Sequence, residues 1–262
     1  MSGVFRLRDR VFSGGTHVMG ILNVTPDSFF APSRVGGGFA ERALKMLEDG
    51  AEIIDVGGQS TRPASTPVSV LEELSRVIPA VEEIRAASDC LISVDTFYPE
   101  VAEEALAAGA DMINDVSGLA DVALAEAVAK YGAGICIMHN RRQSTVPDLM
   151  TDKQTGLALA ADRALRAGVR EDGILLDGGI GFNKSADEDR YLLKHYAELS
   201  LAGYTLLLGT SRKSFFGGDV SERLTATMET SVFAAKSGIL FVRVHDVREN
   251  KLAIDSVTGG DR

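Results

Sequence analysis

One phrase recurs along this chain and limits what it can fold into: a helical stretch, a glycine, a short apolar run, then a polar residue. LEDGAEIID ends this way at Asp55, LAAGADMIND at Asp115, KYGAGICIMH at His139 and AKSGILFVRVH at His245. The glycine suits a helix C-terminus, where a left-handed backbone is wanted. An apolar run too short for a helix, with no polar alternation, reads as a strand buried on both faces.

The same punctuation appears elsewhere. Val18–Leu22 stops at Asn23, where Pro26 soon excludes further ladder pairing. Glu52–Val56 carries Asp55, Leu91–Val94 stops at Asp95-Thr96, and Met112-Ile113 precedes Asn114-Asp115. Ile135–Met138 leads to His139, Ile174–Leu176 to Asp177, Thr205–Leu208 to Gly209, and Leu240–Val244, containing Arg243, to His245. Helices are expected over Phe39–Asp49, Val70–Ala87 and Glu100–Ala108.

Eight such units at intervals of roughly 20–45 residues predict an α/β fold, a (β/α)8 TIM barrel forming a single domain over 1–262 with the barrel at about 16–257. An open doubly wound sheet is the alternative. A short N-terminal hairpin is expected around Ser13-Gly14-Gly15, and Ser256–Arg262 reads as a frayed tail. In either architecture the carboxyl ends of the strands form the functional face. Asn23, Asp55, Asp95, Asn114, His139, Asp177, Lys213, Arg243 and His245 are therefore expected to converge.

Composition narrows the function. A formal charge of −10 argues against nucleic acid as a partner, because that footprint needs clustered cations. No run reaches signal-peptide or membrane-spanning length, so a soluble, cytoplasmic protein is expected with no membrane partner. Cys90 and Cys136, the only cysteines, sit in or beside apolar runs and read as buried reduced thiols.

Two chemical groups stand out among the converging residues. Asp95, Asn114 and Asp177 offer donors and acceptors suited to a flat heterocycle with an amino-lactam edge. Arg62, Lys213, Arg243 and His245, with Ser60, Thr61 and Ser211, could form an anion pocket for phosphate or pyrophosphate. Arg243 and His245 lie two apart on a strand and should project to one side as a clamp. Asp55 could orient a loop, and His139 reads as a buried, hydrogen-bonded histidine. Lys213 beside Arg212 would also allow a Schiff-base aldolase. Phosphate-loop, dinucleotide and paired-histidine zinc motifs are absent.

The motifs then resemble the dihydropteroate synthase family. GILNVTPDSF at Gly20–Phe29, IIDVGGQSTRP at Ile53–Pro63, SVDT at Ser93–Thr96 and INDVSG at Ile113–Gly118 open the series. IMH at Ile137–His139, DGGIGF at Asp177–Phe182, SRKSFFG at Ser211–Gly217 and RVHDV at Arg243–Val247 complete it in family order. The resemblance implies a transferase of folate biosynthesis that condenses 6-hydroxymethyl-7,8-dihydropterin pyrophosphate with para-aminobenzoate. It implies that Asp95, Asn114, Asp177 and Lys213 bind the pterin, with Asp95, Lys213, Arg243 and His245 as the catalytic set. It also implies that Asn23 binds Mg2+ and that Thr61, Arg62, Pro63, Phe182 and Ser211 border the aminobenzoate site, in a homodimeric sulfonamide target. Gly178 departs from the family's usual proline, Asn140 from its methionine, and Phe30-Ala31-Pro32 from its usual first loop. A protein that keeps the pterin pocket without condensing aminobenzoate is the competing reading.

Overall fold

The structure, a computed structural model, describes residues 3–24, 38–59, 66–140, 148–201 and 203–259. It opens with an antiparallel hairpin of β1 (Phe5–Leu7) and β2 (Arg10–Phe12), in which Phe5 faces Phe12. This hairpin turns at Arg8-Asp9, earlier than the expected Ser13-Gly14-Gly15. Arg8 takes a positive φ of 53° and its guanidinium is held by Asp89 at 2.7 Å, whereas Gly14 and Gly15 carry the chain from the hairpin into the barrel.

Eight parallel strands follow: β3 (His17–Asn23), β4 (Ile53–Gly57), β5 (Leu91–Asp95), β6 (Met112–Asp115), β7 (Gly134–Met138), β8 (Ile174–Asp177), β9 (Thr205–Leu208) and β10 (Phe241–Val244). They close in sequence order, with β10 pairing back onto β3, so the sheet has no edge and the open-sheet alternative is excluded. Among the described residues the α-helices are α1 (Phe39–Glu48), α2 (Val70–Ala87), α3 (Pro99–Ala107), α4 (Val122–Tyr131), α5 (Leu149–Arg166), α6 (Ala186–Lys194), α7 (Val220–Lys236) and α8 (Val247–Thr258). Ser256, expected in a frayed tail, lies in the last turn of α8, where its hydroxyl donates to Ala253 O at 2.7 Å.

Side chains alternate across each strand with period two, which separates the core into two shells. Ile54, Val56, Ile92, Val94, Ile113, Ile135, Ile137, Leu176 and Val242 join one cluster with helix residues such as Val81, Ile84, Ala105 and Leu157. The other cluster takes one residue from every strand: Met19, Ile53, Leu91, Met112, Cys136, Leu175, Leu207 and Phe241. Phe5, Leu7 and Phe12 of the hairpin pack beneath them, and Phe12 and Phe241 meet edge to face with centroids 5.0 Å apart. The amino-terminal end of the barrel is thus plugged with apolar side chains.

Two residues further along five of these strands the alternation returns to that side with polar chemistry, while Ile21, Met138 and Gly209 take the same level on β3, β7 and just past β9. Asp55 follows Ile53, Ser93 and Asp95 follow Leu91, Asn114 follows Met112, Asp177 follows Leu175 and Arg243 follows Phe241. The carboxyl end of the barrel is therefore polar by construction. Both cysteines are buried and unbonded, as expected, and no described helix is long and apolar enough to cross a membrane.

Candidate active site

The centre of the polar layer is Arg243. Its Nε donates to Asp55 Oδ2 at 2.6 Å and its Nη2 to Asp95 Oδ2 at 2.7 Å. Asn114 Nδ2 donates to the same Asp55 oxygen at 3.2 Å. Burial alone would lower the guanidinium's pKa, but Asp55 and Asp95 outweigh it and raise it, so the charge is fixed. Burial pushes the Asp95 carboxyl upward, with Arg243 pulling the other way and Asp55 adding to the rise. Asp55 Oδ1 and Asp95 Oδ1 are buried without a hydrogen-bond partner. Such orphaned carboxylate oxygens are costly unless a ligand's donors meet them.

Asp177 closes the other side. Its Oδ1 accepts from Gly179 N at 2.7 Å and lies 2.8 Å from the Tyr196 hydroxyl. Lys213 Nζ donates to Ile180 O at 2.9 Å and sits 4.1 Å from the centroid of the Phe182 ring, a cation–π contact. Burial draws its ammonium down to about 8, while Asp177 partly restores it. Lys184 donates to Gly179 O and Phe182 O and holds the loop after β8 from beneath.

Ser211 and His245 are joined directly, Ser211 Oγ lying 2.9 Å from His245 Nδ1 and accepting the His245 backbone N–H at 3.1 Å. Of the expected Arg243–His245 clamp, Arg243 is held by two aspartates inside the barrel, and His245, just past the strand, is set by Ser211. Asp55, for which loop orientation was one reading, anchors Arg243 and Asn114 instead. His139 is hydrogen-bonded as expected but half-buried rather than buried, its Nδ1 2.8 Å from Lys153 Nζ. Burial and the neighbouring Lys153 charge depress its pKa to about 4, so it is neutral at pH 7.

Asn23, half-buried at the end of β3, stands over the bare position of Gly57, where an added Cβ would lie 3.7 Å from Asn23 Oδ1. At Gly209 an added Cβ would come 3.6 Å from Asp177 Oδ2. These two inward positions leave room between the polar side chains. Among the described residues no cluster of three His, Cys, Asp or Glu could cage a metal ion. A single amide oxygen still fits Mg2+, which characteristically takes one or two protein ligands and keeps substrate phosphates and waters. Thr61, Arg62 and Pro63, expected at the aminobenzoate site, lie outside the described residues.

Sequence reasoning missed three supporting residues. Tyr196 sits in a 3-10 turn, Tyr196–Leu199, in a stretch that reads only as amphipathic. Glu73 of α2, fully buried, accepts from Gln59 at 2.8 Å just past β4; burial raises its pKa to about 7. Asp115 accepts from Ser117 N and Leu119 N and so holds the loop after β6. A buried acid in a helix was the one available signal, since Glu73 falls on the apolar face with Val77 and Ala80.

The comparisons with known proteins agree with this geometry. The family described as pterin binding enzyme matches residues 19–245. A dihydropteroate synthase from Clostridium beijerinckii is 42% identical over 250 residues, covering 91% of each chain. One from Bacillus subtilis is 42% identical over 243 residues, 89% of this chain and 85% of the relative. A Clostridium difficile dihydropteroate synthase solved in the presence of pteroic acid superposes with a TM-score of 0.86 at 41% identity, covering 94% of this chain and 98% of the other. The Xanthomonas albilineans enzyme with 4-aminobenzoic acid gives a TM-score of 0.90 at 35% identity, covering 99% and 98%. A closed parallel barrel with aspartates, an asparagine and a lysine gathered at its carboxyl end, matched along nearly its whole length, belongs to the pterin binding enzyme family, among the dihydropteroate synthases.

Proposed function

We propose that this chain condenses 6-hydroxymethyl-7,8-dihydropterin pyrophosphate with para-aminobenzoate, giving 7,8-dihydropteroate and pyrophosphate. The observation that carries the reading is the set of polar groups on neighbouring and facing strands, Asp95, Asn114 and Asp177, with the buried Oδ1 of Asp95 left for a donor-rich heterocycle. Asp177 and Asp95 accept from the amino-lactam edge of the pterin, Asn114 supplies a donor or acceptor beside them, and Lys213 donates to a ring acceptor.

In the reaction the bond between the pterin methylene and the pyrophosphate oxygen breaks, and its electron pair leaves with pyrophosphate. The electron-rich pterin ring carries the resulting positive charge, which the surrounding carboxylates favour. The aniline nitrogen then attacks the methylene and loses a proton. Arg243 and His245 serve the departing anion, the first through its fixed positive charge and the second through a ring oriented by Ser211. Asn23 would hold Mg2+, which when bound neutralises phosphate charge. Phe182 and Ser211, with Thr61, Arg62 and Pro63, border the aminobenzoate. A cytoplasmic homodimer accompanies this reading.

Purified protein supplied with both substrates and Mg2+ should yield dihydropteroate by mass spectrometry. Tight pterin binding without that product would favour a binding protein that has lost condensation.

A further inference from the structure

We propose that Tyr196 is a positioning residue for the pterin site: its hydroxyl fixes Asp177 Oδ1 inside the protein, so that Oδ2 alone is presented to the ligand. The inference rests on the functional reading above and deepens it at one carboxylate.

Tyr196 is fully buried, and its oxygen meets three groups at once. It accepts from Gly178 N at 2.8 Å and lies 2.8 Å from Asp177 Oδ1 and 2.7 Å from Leu207 O. A phenol has one proton, so Asp177 and the Leu207 carbonyl share it. Burial pushes the phenol's pKa well above its ordinary value, with the Asp177 charge adding to the rise, and the proton stays in place.

Asp177 Oδ1 therefore receives both the tyrosine hydroxyl and the Gly179 N–H, and it has no lone pair well placed for a ligand. Oδ2 is on the side of Gly209, where no side chain intervenes. A freely turning carboxylate would offer either oxygen at varying angles, and a held one recognises a planar donor pair without first being ordered.

The turn is built around this contact. A Cβ on Gly178 would fall 2.5 Å from Leu199 Cδ1 and 2.8 Å from Tyr196 Cε2, so Gly178 lets the ring close against the strand end. Its N–H, meanwhile, is the donor that fixes the hydroxyl oxygen. Strand β8, Gly178 and the 3-10 turn thus orient one side chain together.

The test is Tyr196→Phe, which removes only the hydroxyl. The Michaelis constant and calorimetric affinity for the pterin should weaken about tenfold, as expected for losing a hydrogen bond to a charged group, while kcat and the aminobenzoate KM stay within about twofold. In an Asp177→Asn background the same change should add no further loss of pterin affinity, because the coupling has already been removed. Where the variant folds poorly, 3-fluorotyrosine labelling of the native sequence carries the test. The Tyr196 fluorine resonance should then shift on pterin binding and not on aminobenzoate binding. Unchanged pterin affinity in Tyr196→Phe, equal losses for both substrates, full additivity with Asp177→Asn, or a silent fluorine resonance would each overturn the inference. Failure of the unaltered protein to bind a dihydropterin at all would instead overturn the functional reading, and this inference with it.

Discussion

Arg243 reaches 188 positions back along the chain to donate from Nε to Asp55 Oδ2 at 2.6 Å. It spans β3 to do so, since β10 and β4 flank that strand. Asp55 is fully buried, and the guanidinium is its main compensation. The contact ties the last strand of the barrel to the second at the level where the apolar plug gives way to polar side chains.

Breaking this contact should cost stability as well as activity. Arg243→Met leaves Asp55 and Asp95 buried without their cation and should destabilise the protein by about 3–5 kcal/mol in urea titrations. Adding Asp55→Asn to Arg243→Met should recover part of the loss, because a buried charge is removed along with its missing partner. A double variant no more stable than Arg243→Met would show that Asp55 does not depend on the guanidinium.

Lys213 sets an alkaline limit on turnover. Burial draws its pKa to about 8, so the ammonium is charged below that pH and neutral above it. The pH profile of kcat/KM for the pterin should fall through an alkaline limb near 8, and Lys213→Arg, if active, should move that limb upward. A limb unmoved by the substitution would assign the titration to another group.

Glu73 makes a separate contribution to stability. Its folded pKa, raised to about 7 by burial, exceeds the ordinary value of 4.5. Between those values the folded protein holds a proton that the unfolded chain releases, so stability falls as pH rises through this window and the loss is complete above 7. Glu73→Gln should remove that fall and be more stable than the native protein at pH 8 by up to about 3 kcal/mol, with little difference at pH 4. Equal stability differences at both pH values would contradict the assignment.

Asp177→Asn exchanges an acceptor-only carboxylate for an amide with two donors. Dihydropterin affinity should fall at least about tenfold by calorimetry, with the fold retained by circular dichroism. Affinity matching the native protein would remove Asp177 from the pterin site.

The barrel was legible because each strand carries its own ending in the sequence. An apolar run between a glycine and a polar residue marks β4, β6, β7 and β10 with no knowledge of their neighbours, and period-two alternation then places Asp55, Asp95, Asn114 and Asp177 at one end. The partners of those side chains were less accessible, because they depend on closure. Arg243 was expected beside His245 by spacing along one strand, yet its charge is satisfied across the barrel by Asp55 and Asp95. Tyr196 was hidden for a similar reason: an aromatic residue after a short helix has no local sign that its hydroxyl reaches a strand end 19 positions away. The hairpin turn was placed too late because the paired glycines at 14 and 15 outweighed Arg8, whose unusual backbone is supported by a distant aspartate.

At this site pyrophosphate leaves the pterin in exchange for an aromatic amine. The most direct measurement is pyrophosphate release from the dihydropterin pyrophosphate, with Mg2+ present and para-aminobenzoate supplied or withheld. Multiple-turnover release is expected only when aminobenzoate is present, matched mole for mole by dihydropteroate. Pterin binding with no release under either condition would contradict it.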